Sequence, residues 1–252
     1  MSAKRLPGKP LLRINGKSII ARVFNKAKNC KIGKVIVATE DKIIANEIKK
    51  NGGKAILTSK KHNSGTDRIW EAFQKLKNNK TKYIINLQGD LPQINRECLS
   101  SVVNLLSDEA AEVGTLACEM TDHDEINSKS IVKAIADINP NTKIGRAINF
   151  TRTPEASING NYLHHIGLYA YIRTALEKFV HLAPSTREID QKLEQLRALD
   201  NQMRIDIQLI DFLPLGVDTP EDLEKMQKLI GKVCGSLMKI KKDYLIQFLK
   251  NL

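Results

Sequence analysis

The 252-residue sequence is poor in aromatics (5%) and has one tryptophan and four scattered cysteines. Cys30, Cys98, Cys118 and Cys234 include no CxxC pair. That argues against a zinc site and a disulfide framework, and buried, inert thiols are expected. No stretch approaches the roughly eighteen unbroken apolar residues of a membrane span. The opening MSAKRLPGKP is basic with no apolar core behind it, so it does not read as a secretory signal. A cytoplasmic setting without a membrane span is therefore expected. Acidic residues are also in deficit: 28 Asp and Glu against 40 Lys and Arg leave a formal charge of +12.

Such a charge invites a nucleic-acid hypothesis, but its distribution argues otherwise. Residues 228–252 hold six lysines and one aspartate, so +5 lies in this tail and +7 in everything before it. The other lysines are dispersed, and pairs such as Lys49/Lys50 and Lys60/Lys61 read as solvated faces. With so few aromatics there is little from which to build a base-stacking surface, and no nucleic-acid partner is expected. A positive field serves equally an enzyme that grips anionic small molecules. The tail itself, from 231 to 252, reads as an appended basic amphipathic helix.

Hydrophobic content of 42% and charged content of 27% are those of a soluble globular chain long enough for one large α/β domain. Strand and helix patterns alternate through the first half. β-branched or apolar runs at 34–39, 55–58, 83–87 and 113–118 are separated by helical patterns through Ile43–Ile48, 69–76 and 99–106. This alternation predicts a mixed, mostly parallel sheet with helices on both faces. Further strands are expected at 131–138, 163–172 and 205–213, and helices at 174–182 and 188–199. Thr219-Pro-Glu-Asp222 is a helix start, with a capping hydroxyl, proline at the first position and acids at the positive end of the dipole.

Several segments could carry chemistry. Arg5-Leu-Pro-Gly-Lys9 sets two cations around a turn whose amides can cradle an anion, although a basic turn is as readily plain surface. Asp90 follows an apolar strand directly, at the carboxyl edge where open α/β sheets place ligands, and Gly89 before it allows close backbone approach. Asp218 stands in the same relation to the strand at 205–213. Two such carboxylates could share a Mg²⁺ ion, and helix capping would explain either one without function. Ser64-Gly-Thr-Asp-Arg68 lies at a helix start suited to a base, a phosphate or a simple cap. Of His164 and His165, neighbours on a strand, at most one can face a site.

In their order these segments resemble the 3-deoxy-manno-octulosonate cytidylyltransferase (CMP-KDO synthetase) family. The resemblance rests on RLPGKPL at 5–11, ING at 14–16, VIVATED at 35–41, HNSGTDR at 62–68 and NLQGD at 86–90. It continues with HHIGLYAY at 164–171, LEQLRAL at 193–199 and GVDTPEDLE at 216–224. The resemblance implies a nucleotide-diphospho-sugar transferase (Rossmann-like) fold over residues 1–230. Its nucleotide-binding part would span about 1–120, and its sugar-binding and dimerisation part about 121–215, in a homodimer. The implied reaction is CTP plus KDO giving CMP-KDO and pyrophosphate, for lipopolysaccharide.

By the same resemblance Lys9, Asp90 and Asp218 are catalytic, with Asp90 and Asp218 on Mg²⁺. Arg5, Lys9, Thr39, Ser64, Gly65, Thr66, Arg68 and Gln88 hold the nucleotide, and Gln88, His165, Glu194 and Gln195 line the sugar. Family members carry an apolar strand and a Pro-(Ala/Ser)-Arg turn ahead of the stretch matching Met1, so the fold is expected to lack its first strand. Gln191 stands where the family pattern has a glutamate, and His164 where it has an arginine. Another acidic sugar, of 8-amino-KDO or neuraminate type, is the alternative substrate, and an inactive truncated member is the third reading.

Overall fold

The computed structural model describes residues 6–62, 64–77, 80–108, 110–154 and 162–230. Arg5 and the basic tail lie outside them. A 3₁₀ turn at Lys9–Leu11 leads into a hairpin of β1 (Arg13–Ile14) and β2 (Lys17–Ser18). Asn15 and Gly16 at its tip have φ of 45° and 78°, the two positive values a type I′ turn requires and Asn-Gly supplies at least cost. Then come α1 (Ile19–Cys30), β3 (Ile36–Thr39), α2 (Lys42–Lys50), β4 (Lys54–Leu57), α3 (Gly65–Lys75), β5 (Tyr83–Leu87), α4 (Arg96–Asn104) and β6 (Val113–Glu119). The short α5 (His123–Asn127) precedes β7 (Lys133–Asn139), β8 (Ile144–Thr151) and β9 (Leu163–Ile172). The chain continues through α6 (Arg173–His181), α7 (Thr186–Gln191), α8 (Gln195–Asp200) and β10 (Ile205–Leu209), and residues 220–230 form α9.

The sheet is mixed, as expected, but it is not mostly parallel. β3 and β4 pair in parallel in a sheet of their own, and six strands form the order β5-β9-β6-β10-β8-β7. Within those six only β6 and β10 pair in parallel; the other ladders are antiparallel. The cause is the position of β9. β5 and β6 are both antiparallel to β9, so they run the same way, and β10 runs with them. Strand–helix alternation therefore does give one set of directions. The ten-residue return strand β9 then inserts between β5 and β6 and takes their backbone hydrogen bonds.

Two other local expectations shift, and some elements are not anticipated at all. β8 and α1 carry no expectation from the sequence. Half of β8 faces outward, and its outward positions include the apolar Ile144 and Ile148 beside polar Arg146, which blurs the alternation. The helix expected over 188–199 is two helices, because Lys192 adopts a left-handed conformation (φ 55°) that ends α7. The strand expected to reach 213 stops at Leu209, which frees the following residues to run toward Asp218.

Alternation along β6 sorts the core into two layers, one under each face of the sheet. Val113 and Ala117 pack with Leu176 and Phe179 of α6, Leu196 of α8 and Phe150 of β8. Leu116 and Cys118 face the other way, against Ala27 of α1 and Leu99 and Val102 of α4. Helices thus cover both faces, as the pattern predicts. Each fully buried Leu, such as Leu116 or Leu168, contributes about 1.5–3 kcal/mol through burial. Gly114 lets α4 approach closely, since a Cβ there would lie 2.6 Å from the Val102 carbonyl oxygen. Cys30, Cys98 and Cys118 are buried and unbridged, and burial pushes the Cys118 thiol up to about 11. Among the described residues no helix is long and apolar enough to cross a membrane.

Candidate active site

Asp90 and Asp218 are 128 residues apart in sequence, and one backbone contact brings them together. The Val217 amide donates to the Asp90 carbonyl at 3.0 Å. Val217 is fully buried in a small cluster with Leu6, Ile14, Ile19 and Met226, which also anchors the loop carrying Lys9. Gly8 takes a left-handed φ of 68° ahead of the 3₁₀ turn, which glycine adopts without strain. Lys9 Nζ then donates to Asp90 Oδ2 at 2.6 Å and to Asp218 Oδ1 at 2.9 Å. Burial alone would lower the Lys9 pKa, but the two carboxylates outweigh it and raise the value. Gly89 is needed for a different approach from the one expected: a Cβ there would meet Ile20 of α1 at 2.9 Å.

The bland explanation of the two aspartates, helix capping, does not hold for either. Asn95 caps α4 by accepting from the Cys98 amide. At α9, Asp222 accepts from the Asp218 and Thr219 amides while Thr219 Oγ1 accepts from the Asp222 amide, so the cap expected at Thr219 is present. The Asp218 carboxylate is left to meet Lys9. Among the described residues no cluster of three or more His, Cys, Asp or Glu forms a metal cage. Two carboxylates drawn around one cation nevertheless suit Mg²⁺, which takes one or two protein carboxylates and completes its shell with water and substrate phosphates. The Lys9 ammonium is the stand-in cation that shows the fit.

A second cluster lies along the N-terminus of α3. Ser64 caps that helix through the Asp67 amide at 3.1 Å. Gly65 sits against Gln88, a Cβ there lying 3.4 Å from Nε2. Gln88 Nε2 donates to Asn86 Oδ1, and Asn86 Nδ2 to the buried Thr66 hydroxyl. Burial raises the Glu194 pKa, and the nearby Thr66 and Ser64 hydroxyls only partly offset it. Glu194 Oε1 and Gln195 Nε2, an acceptor and a donor at the start of α8, are buried with no hydrogen-bond partner. Buried polar atoms are rarely left unsatisfied, and where they are, a ligand commonly completes them.

The remaining expected residues are already engaged. Arg68 donates to Glu40 (2.6 Å) and to the Thr58 hydroxyl (2.8 Å), tying α3 to the ends of β3 and β4. Thr39 Oγ1 accepts from the Asp41 amide. His165 lies in the core, its ring edge-on to Phe150 at 5.0 Å, with Nε2 at 3.1 Å from Thr115 Oγ1. Burial, aided by His164, depresses its pKa to about 3, so the ring is neutral. His164 faces away, toward Glu125, as strand neighbours must. Sequence reasoning missed Asn86, which connects Gln88 to Thr66. An amide at the buried position of the otherwise apolar YIINL strand was the available signal.

The cytidylyltransferase family model matches residues 1–205. The 3-deoxy-manno-octulosonate cytidylyltransferase of Rhizobium etli (strain CIAT 652) is 44% identical over 236 residues, covering 93% of this chain and 94% of the relative. The chain belongs to the 3-deoxy-manno-octulosonate cytidylyltransferase family. The same-named protein of a Bradyrhizobium species is 46% identical, over 92% of this chain and 94% of the relative. Among solved structures, a CMP:2-keto-3-deoxy-manno-octonic acid synthetase complexed with CTP superposes with a TM-score of 0.80 at 34% identity, covering 91% of this chain and 94% of that one. A 4-diphosphocytidyl-2C-methyl-D-erythritol synthase from Anaerococcus prevotii, 13% identical with a TM-score of 0.58 over 88% and 93% of the two chains, shares the fold alone. This cytidylyltransferase is therefore α/β, with the nucleotide-diphospho-sugar transferase architecture.

Proposed function

We infer that this cytidylyltransferase transfers CMP from CTP to KDO, releasing pyrophosphate, with Mg²⁺ bound by Asp90 and Asp218. The observation that carries the chemistry is the pair of carboxylates held around Lys9. In the reaction the anomeric hydroxyl oxygen of KDO bonds to the α-phosphorus, its proton is lost, and the bond from that phosphorus to the bridging oxygen of pyrophosphate breaks. When bound, Mg²⁺ supplies charge neutralisation to the leaving pyrophosphate and polarisation to the attacking oxygen.

The chain's own part is positioning and electrostatics. Lys9, and Arg5 by resemblance, hold the triphosphate. Ser64, Gly65, Thr66, Arg68, Thr39 and Gln88 form the nucleotide wall, where Thr66, Arg68 and Thr39 act by fixing the ends of α3 and β3. Glu194 Oε1 and Gln195 Nε2 meet complementary hydroxyl and carbonyl groups of the sugar, with Gln88 across from them. His165, neutral and packed, supports that side through Thr115 and Phe150.

We further propose that the protein acts as a cytoplasmic homodimer supplying lipopolysaccharide synthesis. Ile148 of β8 and Ile189 of α7 are 62% and 63% exposed, on elements that the Asn149–Arg187 contact links, and this apolar patch suits a self-contact. The first strand implied by the resemblance would lie between β3 and β5. Each of these strands has one edge without a ladder among the described residues. Their apolar residues Ile36, Val37, Ile84 and Ile85 are only half-buried, and Val35 packs in the same cluster as Ile85 and Leu87.

Pyrophosphate release tests the activity, with CTP, Mg²⁺ and KDO, 8-amino-KDO or N-acetylneuraminate as acceptor. KDO is expected to give the highest kcat/KM. Release with another acidic sugar alone would reassign the substrate, and release with none would overturn the reading.

A further inference from the structure

Lys9 does more in this structure than wait for a phosphate. Its ammonium occupies the position between Asp90 and Asp218 at 2.6 and 2.9 Å, with the Lys9 side chain 13% exposed. An ammonium there and a divalent cation on the same oxygens repel each other at short range, although the half-exposed Asp218 side chain lets water screen part of that repulsion. The turn beneath Lys9 is fixed: the Leu11 amide donates to Gly8 O, the Lys9 amide to Leu6 O, and Leu6 is buried. The flexible four-carbon side chain is what can move.

We propose that Lys9 is the resident counter-cation of the metal site and couples metal entry to nucleotide entry. Without nucleotide the ammonium neutralises the carboxylate pair and holds divalent cations off. When a triphosphate arrives, the ammonium moves onto its oxygens and the carboxylates become available to the metal. Metal and nucleotide then favour each other's binding, and by linkage the effect is mutual. This rests on the reading of Asp90 and Asp218 as metal ligands.

The test is direct binding of Mn²⁺, used as the probe, to nucleotide-free protein, reading free Mn²⁺ by electron paramagnetic resonance. Lys9→Gln should bind Mn²⁺ tighter than the natural protein by on the order of tenfold or more, since a competing charge at contact distance is removed. Lys9→Arg, which keeps the charge, should bind as weakly as the natural protein. The double variant Lys9→Gln/Asp90→Asn should lose the gain. If Lys9→Gln binds no tighter while Asp90→Asn weakens binding, Lys9 does not compete and the proposal is wrong, although the metal site stands. If Asp90→Asn changes nothing in either background, the metal reading fails and the proposal fails with it. A second measurement needs no variant. The Lys9 Nζ resonance should change as Mn²⁺ or Mg²⁺ saturates the carboxylates, and a constant resonance through saturation overturns the proposal.

Discussion

Replacing Glu194 with glutamine separates what this carboxylate does for the fold from what it does for the substrate. Glu194 is half-buried, with its Oε1 atom fully enclosed, and its pKa is raised chiefly by desolvation. The nearby Thr66 and Ser64 hydroxyls offset that cost only in part, so the ionised form is disfavoured in the folded protein. Glutamine has the same shape and no charge. Glu194→Gln should therefore stabilise the nucleotide-free protein above neutral pH and raise its Tm there.

The pH dependence carries the sign. In the natural protein the unfolded chain releases the Glu194 proton first, near the ordinary 4.5. Stability therefore falls as pH rises from there until the folded carboxyl has also ionised, and it is recovered as pH drops. The glutamine variant lacks that decline. Its kcat/KM for KDO should fall on the order of a hundredfold, because a site built to bond a hydroxyl loses its acceptor. Urea titration at several pH values and pyrophosphate-release kinetics read both effects. A variant that is less stable than the natural protein at pH 8, or one with an unchanged pH profile, refutes the reasoning.

Glu188 and Arg197 form a two-pronged buried pair at 2.8 and 2.6 Å, and Glu188 also completes the Ser185 capping box. Glu188→Gln leaves the guanidinium without its directly bonded carboxylate, with only the more distant Glu194 and Asp67 charges in its place, and should cost about 3 kcal/mol in urea unfolding. Burial would raise the Glu71 pKa, but contacts from Lys75, the Ser59 amide and His62 pull it down to about 2. That stabilisation is present above pH 4.5 and lost as pH falls toward 2, so Glu71→Gln should flatten the fall in urea midpoint across this window. Ile148→Asp should shift the protein to a monomer in size-exclusion chromatography with light scattering, and a natural protein that is already monomeric would rule out the proposed self-contact.

The α/β alternation was legible because strands and helices announce themselves by local period, and β5 at 83–87 and β9 at 163–172 came out with the expected bounds. Asp90 was legible as a candidate from its place just past an apolar strand, and the structure shows that Asn95 rather than Asp90 caps the next helix. Pairing was not legible. Nothing in residues 163–172 says that β9 lies between β5 and β6 rather than at an edge, since an apolar strand suits any interior slot. Gly89 lies against Ile20 of α1, a contact that no local pattern announces. Arg68, Thr39 and Thr66 carry the right groups for a nucleotide, but their hydrogen bonds to Glu40, Asp41 and Asn86 appear only when distant segments meet.

The sequence by itself determined the family, the strand–helix alternation of the first half and the identity of the charged residues, because motif spacing and side-chain chemistry are local properties. Only the tertiary structure decided that Asp90 and Asp218 share one cation, that other residues do the capping, and that Glu194 and Gln195 present unsatisfied atoms. Each of these depends on desolvation and on contacts between segments far apart in the chain. The Val217–Asp90 backbone bond is the plainest case: a single amide brings two carboxylates to the same ammonium.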